Sequence, residues 1–291
     1  MGVTPAGPFD VDGAIAREWL EAPVNPNGRP NSDVVRPYYN GVDVNQEKRD
    51  VWIVDFGVDA DLSTASSYEL PFEYVKEHVQ PMRRTSRVPS TDPWWLFTRP
   101  RPKMRRALSP LHRYIGTALV SKHHILDWIP QVVLPANLVI VIAREDDYFF
   151  GVVHSKVHEL WALRQGTQLE DRPRYTPTTC FETFPFPWPP GKEPADDPRV
   201  QAIAAAAKDL VEKRDRWLNP EGAGEAELKK RTLTNLYNAR PTWLDLAHRR
   251  LDEAVLDAYA WPHDLADDDI LERLLALNLE RAAAQDERNG E

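Results

Sequence analysis

The sequence predicts an α+β protein: a mixed β-sheet domain with flanking helices, followed by an all-α helical C-terminal domain. Three observations carry this. Short β-branched and aliphatic runs recur between residues 34 and 143 at a spacing that suits neighbouring strands. After the proline-rich stretch FPFPWPPGKEPADDP the composition changes abruptly to Ala- and Leu-rich segments with helical spacing. The proline-rich segment near 187–198 itself reads as a boundary. The expected organisation is a lead-in over 1–30, a mixed-sheet domain over 31–190 and a helical domain over 195–285.

Residues 1–30 are rich in Pro, Gly and Asn, with one short amphipathic piece, AIAREWLE. NSDVVRPYYNGVDV and DVWIVDFGV follow as strands around a turn at Asn40-Gly41, because both residues tolerate positive φ. Ser63 to Gln80 has helical spacing, with Pro71 a candidate kink and Pro81 the expected stop. Trp94 and Trp95 anchor a loop, and a short helix follows from about Lys103 to Leu111. YIGTALVS, HILDWI and LVIVIA read as adjacent strands. Asp146-Asp147 can cap the next helix. Along that helix Phe149, Val153, Val157 and Leu160/Trp161 form one apolar stripe. Beyond the prolines, four helices are expected: VQAIAAAAKDLVEKRDRWL, EAELKKRTLTNLYNA, TWLDLAHRRLDEAVLDAYAW and DDDILERLLALNLERAAA. Three Asp open the last, where the helix dipole favours them.

Composition bounds the function. Of the 291 residues, 42% are hydrophobic and 28% charged, as expected of a soluble globular protein. The single Cys180 excludes an intrachain disulfide and points to a reducing, cytoplasmic setting. The amino terminus lacks a signal peptide's basic and apolar regions. No apolar run is long enough to cross a bilayer, so no membrane partner is expected. Net charge is −9, but it is unevenly spread. Between Arg83 and His124 ten Lys/Arg face one acid, Asp92, and from Leu251 to Glu291 twelve acids face three Arg. A basic island in an acidic protein suits phosphate contact. A solvated surface with counter-charges folded beside it is the bland alternative.

Several chemistries lack their motifs. No GxGxxG or GxxxxGK[ST] is present, so nucleotide binding has no motif support. The (D/N/S)PP(Y/F/W) motif of amino-methyltransferases is absent: Asp92-Pro93-Trp94-Trp95 lacks the second Pro, and Pro189-Pro190 lacks its flanking residues. Glu227-Leu228-Lys229 has the spelling of a nuclease centre but lies in a helical pattern.

Four constellations remain. His154 and His158 at i and i+4, followed by Glu159, place two imidazoles on one helix face as zinc sites require; packing histidines are the bland alternative. Ser121, Lys122, His123 and His124 lie at the edge between two short strands, and such side chains can contact base edges or phosphates; a solvated turn is the alternative. Arg99, Arg101, Arg105, Arg106 and Arg113 surround the Trp pair and the short helix, where arginines can clamp phosphates. Arg172 and Arg174 belong to a polar loop that contacts a ligand or is fixed by pairing with Glu170 and Asp171.

Taken in order, the segments resemble one family. NGRPNSDVVRPYYNG, PFEYVKEHVQP, RPRPKMRRAL, RYIGTALVSKH, DDYFFGVVHSKVHELWALRQGT and RYTPTTCFETFPFP match its layout, and TLTNLYNARPTWLDLAHRRLDEAVLDAYAWPHDL its C-terminal helical segment. The chain is similar to the target recognition domain and C-terminal helical part of type IIL (MmeI-like) restriction–methylation proteins. FETFPFP and LYNARPTWL are the most specific pieces. The resemblance implies sequence-specific recognition of double-stranded DNA for adenine-N6 methylation, in a restriction–modification or phage-defence setting. It implies base-reading residues around VSKHH, hence Ser121 to His124. It places S-adenosylmethionine in an associated methyltransferase domain or upstream-encoded subunit, with no cofactor in this chain. The methyltransferase and nuclease motifs are missing, so catalysis by this chain alone is not expected. Two alternatives stay open: an interaction module docking a methyltransferase subunit, and a metal-dependent hydrolase using His154 and His158.

Overall fold

The computed structural model describes residues 1–85, 93–169 and 172–289, with side chains of the last helix described to residue 284. The chain forms two compact units. The first comprises 1–44, 48–116 and 128–143, and the second 45–47, 117–127 and 144–291.

In the first unit, strand β1 (Asp10–Asp12) leads into helix α1 (Gly13–Glu21), capped by the Asp12 carboxylate accepting from Ala14 N–H. The expected lead-in is therefore part of the fold: Val3 and Phe9 have no exposed surface, and β1 pairs antiparallel with residues 51–53. Strand β2 (Val35–Tyr39) is followed by the short helix α2 (Gly41–Asn45) and then by β3 (Val51–Val54). Asn40-Gly41 does not make a two-residue hairpin turn. Asn40 Oδ1 accepts from Val42 N–H, and Asp43 Oδ2 accepts from Asn40 N–H, so local side-chain bonds start a helix there. β2 and β3 still pair antiparallel, with Arg36 opposite Ile53.

Helices α3 (Leu62–Ser66) and α4 (Glu69–Thr85) replace the single segment expected over 63–80. Pro71 sits in the first turn of α4, where its missing N–H costs no hydrogen bond. Pro81 lies inside α4 rather than ending it. Helix α5 (Pro102–Leu108) follows the Trp94/Trp95 loop, and Trp95 Nε1 donates to Ala60 O at 2.8 Å. Strands β4 (Arg113–Ala118), β5 (Leu126–Pro130), β6 (Leu134–Pro135) and β7 (Val139–Ile142) complete the sheets. One sheet has the order β1-β3-β2-β6 and another β5-β4-β7. β6 is parallel to β2. Phe9, Ile53, Phe72, Val75 and Phe97 form the first unit's main core.

Beyond residue 143 the chain belongs to the second unit. Asp146 caps α6 (Asp147–His154), its carboxylate accepting from Phe149 N–H at 2.8 Å. The stripe from Phe149 to Trp161 is not one helix. Ser155 adopts an extended conformation, donates its hydroxyl to Val152 O at 2.7 Å and caps a new helix, α7 (Lys156–Gln165). Strands β8 (Thr167–Leu169) and β9 (Arg172–Arg174) form an antiparallel hairpin. A π-helical turn over Pro177–Phe181 leads into the aromatic–proline segment. Then come α8 (Pro198–Leu218), α9 (Glu225–Leu228), α10 (Leu233–Ala239), α11 (Thr242–Ala258) and α12 (Asp267–Asn289). The segment expected as one helix over 225–239 is two, because Thr232 starts α10 by accepting from Asn235 N–H.

Compactness divides the chain earlier than the proline-rich segment does. The reason is Gly151 on α6. A Cβ there would lie 2.7 Å from Ile203 of α8 and 3.1 Å from both Ala207 and Leu251. This close approach packs α6 among the C-terminal helices. Across the prolines, Tyr259 Oη donates to Pro185 O, and Arg281 donates to Phe186 O and Pro187 O.

Candidate nucleic-acid interface

The candidate residues fall into both units. In the first, the arginines are not equivalent. Arg105 reaches back to Asp55, with Nη1–Oδ2 at 2.6 Å and Nη2–Oδ1 at 3.0 Å, while its Nε donates to Pro100 O. The Asp55 side chain is 3% exposed and that of Arg105 17%. This bidentate pair uses the fork that a phosphate clamp would need. Arg101 stands at the amino end of α5 with φ +59°. Pro102 disfavours the right-handed region for the residue before it, and Arg101 Nε donates to Gly2 O at 3.1 Å. The Arg113 guanidinium stacks 3.8 Å from the Trp128 ring centre. Arg83, counted in the basic island, is buried and donates to Pro5, Ala6 and Pro93 carbonyls. Arg99 and Arg106 are exposed. Arg87 and Asp92 lie outside the described residues. The island is thus part scaffold and part accessible charge.

In the second unit the structure brings together two groups of candidates that are remote in sequence. Ser121 N–H donates to Pro173 O at 3.3 Å, Tyr175 N–H to Leu119 O at 2.9 Å, and Val120 bridges Arg174. A pocket of about 270 Å³ follows, lined by Ser121, Lys122, His123, His124, Arg174 and Tyr175, among others. Arg172 and Arg174 are both exposed on β9. Glu170 and Asp171, their expected partners, lie outside the described residues.

The 121–124 loop is held from behind by residues that sequence reading missed. Asn45 Nδ2 donates to Ser121 Oγ at 2.8 Å, and Thr234 fixes Asn45 by donating to its carbonyl at 2.9 Å. Asn238 Oδ1 accepts from Lys122 Nζ at 2.8 Å and lies 2.9 Å from His123 Nε2. His124 Nε2 donates to Val153 O at 2.8 Å. Asn238 belongs to LYNARP, one of the two most specific segments in the sequence, and that was the only available signal.

Behind the loop lies a buried His–Tyr–Arg network. Arg214, 1% exposed, donates to Leu126 O, Asp127 Oδ1 and His154 Nε2 at 3.0, 3.0 and 3.1 Å. An arginine only donates, so His154 Nε2 is the acceptor and its ring proton sits on Nδ1. That atom is buried without a partner among the described residues. Tyr237 Oη lies 2.9 Å from both His154 Nε2 and His248 Nε2. His158 Nε2 meets Tyr175 Oη at 2.9 Å. Burial first, and the Arg214 charge second, hold His154 neutral well below the ordinary imidazole range, and burial does the same to His158. His123, His124, His154 and His248 also line a second, polar cavity of about 470 Å³ with Glu159, Asp245 and Asp252. Burial, reinforced by Glu159, pushes the Asp252 carboxyl up to about 7, against a bond from Lys156 N–H.

This geometry corrects the metal alternative. His154 ends α6 and His158 lies in α7, so one helix does not present both imidazoles. Their Nε2 atoms go to two different tyrosines. Among the described residues, no group of three or more His, Cys, Asp or Glu is placed to hold a metal ion. No described helix is long and apolar enough to cross a membrane.

The sequence profile of the MmeI target recognition domain matches residues 24–188. The chain belongs to this target recognition domain family. It is 30% identical over 144 residues to DNA methyltransferase A of Bacillus subtilis (strain 168), covering 49% of this chain and 14% of that protein. Its fold matches the structure of the type IIL restriction–modification enzyme MmeI in complex with DNA, with a TM-score of 0.73 and 20% identity. That match covers 97% of this chain and 35% of the other. The chain therefore spans about a seventh and a third of these relatives. The match extends well beyond the 24–188 segment, so the fold likeness includes the C-terminal helices.

Proposed function

We propose that the chain is a duplex-DNA recognition module serving an adenine-N6 methyltransferase of a restriction–modification or phage-defence system. The observation that supports it best is the meeting of Ser121–His124 with Arg174 around one pocket, on a domain of the target recognition family. Lys122 and Arg174 supply cationic donors, and Ser121 and His123 further hydrogen-bonding groups, for phosphate oxygens or major-groove base edges. Arg106 and Arg99 offer accessible charge for the DNA backbone, whereas Arg105 supports the fold through Asp55. The methylation step belongs to a methyltransferase domain or upstream-encoded subunit. That partner would hold S-adenosylmethionine and receive the flipped adenine. This chain chooses the site.

Duplex binding titrated against salt tests the proposal. Neutralising one phosphate contact by Arg106→Ala or Arg99→Ala should lower the log–log salt slope by about one. Salt-independent binding, or none by the chain with and without its methyltransferase partner, would defeat it.

A further inference from the structure

We propose that Asn238 is a positioning residue for base readout, carried on a helix outside the segment that the recognition-domain profile matches. The inference rests on the recognition reading above and names a residue that sets its specificity. Asn238 lies on α10 and is exposed, and its side-chain oxygen meets both Lys122 Nζ and His123 Nε2. The orientation of its amide follows from chemistry. A lysine ammonium has only donors, so the atom facing Lys122 Nζ at 2.8 Å is the carbonyl oxygen. The same oxygen then makes His123 Nε2 a donor at 2.9 Å. In the neutral ring, Nδ1 is left as the acceptor, and it has no partner among the described residues.

One amide oxygen thus settles two readouts. It ties down one Lys122 proton and leaves two for acceptors. It also fixes the His123 tautomer, so that the ring offers a lone pair. A cationic donor beside a ring-nitrogen acceptor fits a base edge carrying an acceptor and an exocyclic amine: adenine N7 and N6, or guanine O6 and N7 with the paired cytosine N4. Without Asn238 the Lys122 side chain regains its rotamers, and His123 is free to exchange tautomers and so to accept or donate. Affinity from phosphate contacts would persist while base preference blurs.

The test is selection from a randomised duplex pool by the wild-type chain, Asn238→Leu, Asn238→Asp and Lys122→Ala, with the His123 ring followed by NMR. Asn238→Leu should lose about tenfold in preference at one or two base pairs, with unchanged salt slope and melting temperature. Asn238→Asp keeps the acceptor, so it should retain both the preference and the Nε2–H tautomer of His123. Asn238→Leu selecting the wild-type sequence at every position, while Lys122→Ala does not, would overturn the inference. So would a His123 ring whose tautomer is the same in the wild-type chain and in Asn238→Leu. Failure of the wild-type chain to enrich any sequence, with the His123 tautomer still changed by Asn238→Leu, would remove the recognition reading and the readout role with it. The contact would then stand as a packing detail.

Discussion

Arg105 and Arg106 are adjacent, identical in sequence character and different in structure, and replacing each by Ala separates scaffold from surface. Arg105 makes two charge-assisted bonds to Asp55, at 2.6 and 3.0 Å, and one to Pro100 O. Asp55 also accepts from Gly57 N–H, and its side chain is 3% exposed. Truncating Arg105 leaves a buried carboxylate with that backbone bond and the charge of Arg36 nearby, but without its bidentate partner. Breaking a buried pair in this way costs about 3–5 kcal/mol. For a protein of this size that lowers the melting temperature by about 10 °C. Arg106 is exposed, and its truncation should change stability by less than about 0.5 kcal/mol. Thermal and urea unfolding of both variants, with Asp55→Asn and the Arg105→Ala/Asp55→Asn double variant, measure this. The double variant should recover part of the loss, because the stranded charge is gone. If Arg105→Ala melts like wild type and weakens DNA binding as a surface arginine would, Arg105 is a contact residue and the scaffold assignment is wrong.

Other outcomes follow from the second unit. Arg214→Met removes the donor to Leu126 O and Asp127 Oδ1 and leaves His154 Nε2 with Tyr237 Oη alone, and should cost about 3–5 kcal/mol in urea unfolding; an unchanged midpoint would contradict the network. Gly151→Ala gains about 1 kcal/mol of helix propensity, but its methyl would press on Ile203 at 2.7 Å, so net destabilisation of about 1–2 kcal/mol is expected. Acid should destabilise this unit. His154 and His158 stay neutral when folded and regain ordinary values near 6.5 when unfolded. Each should then cost about 1.4 kcal/mol per pH unit below that value. Asp252 acts in the opposite sense. Its carboxyl, pushed up to about 7 from an ordinary 3.8, contributes stability that grows as pH falls between those values. Asp252→Asn should therefore steepen the acid transition; a stability flat from pH 7 to 5 would contradict the buried neutral imidazoles.

Much of the fold was legible because it rests on local chemistry. The helix after Pro102, the Asp146 cap and the strand runs around 113–142 are written in propensity, proline geometry and period. The breaks were not. Hydrophobic periodicity runs on through Ser155, yet that serine's hydroxyl and extended backbone end one helix and start another. Asn40-Gly41 carries a hairpin spelling, but Asp43 closes a helical turn instead. At the candidate site, Ser121 to His124 were readable as an edge, since strands flank them. The role of Arg105 was hidden because its partner lies 50 residues away, and Asn238 is 116 residues from Lys122. Such pairings are set by tertiary packing, which a local pattern cannot carry. The two imidazoles failed as a metal pair for the same reason: their spacing was right, but the helix between them does not exist.

The central claim, that this chain selects a DNA sequence, is tested most directly by selection from a randomised duplex pool at moderate salt, with the chain alone and with the proposed methyltransferase domain or subunit added. Enrichment of one short sequence, altered at defined positions by Lys122→Ala or His123→Ala, is the predicted result. Binding without sequence preference in both settings, or no binding in either, would contradict the account and favour a module that docks protein rather than reads DNA.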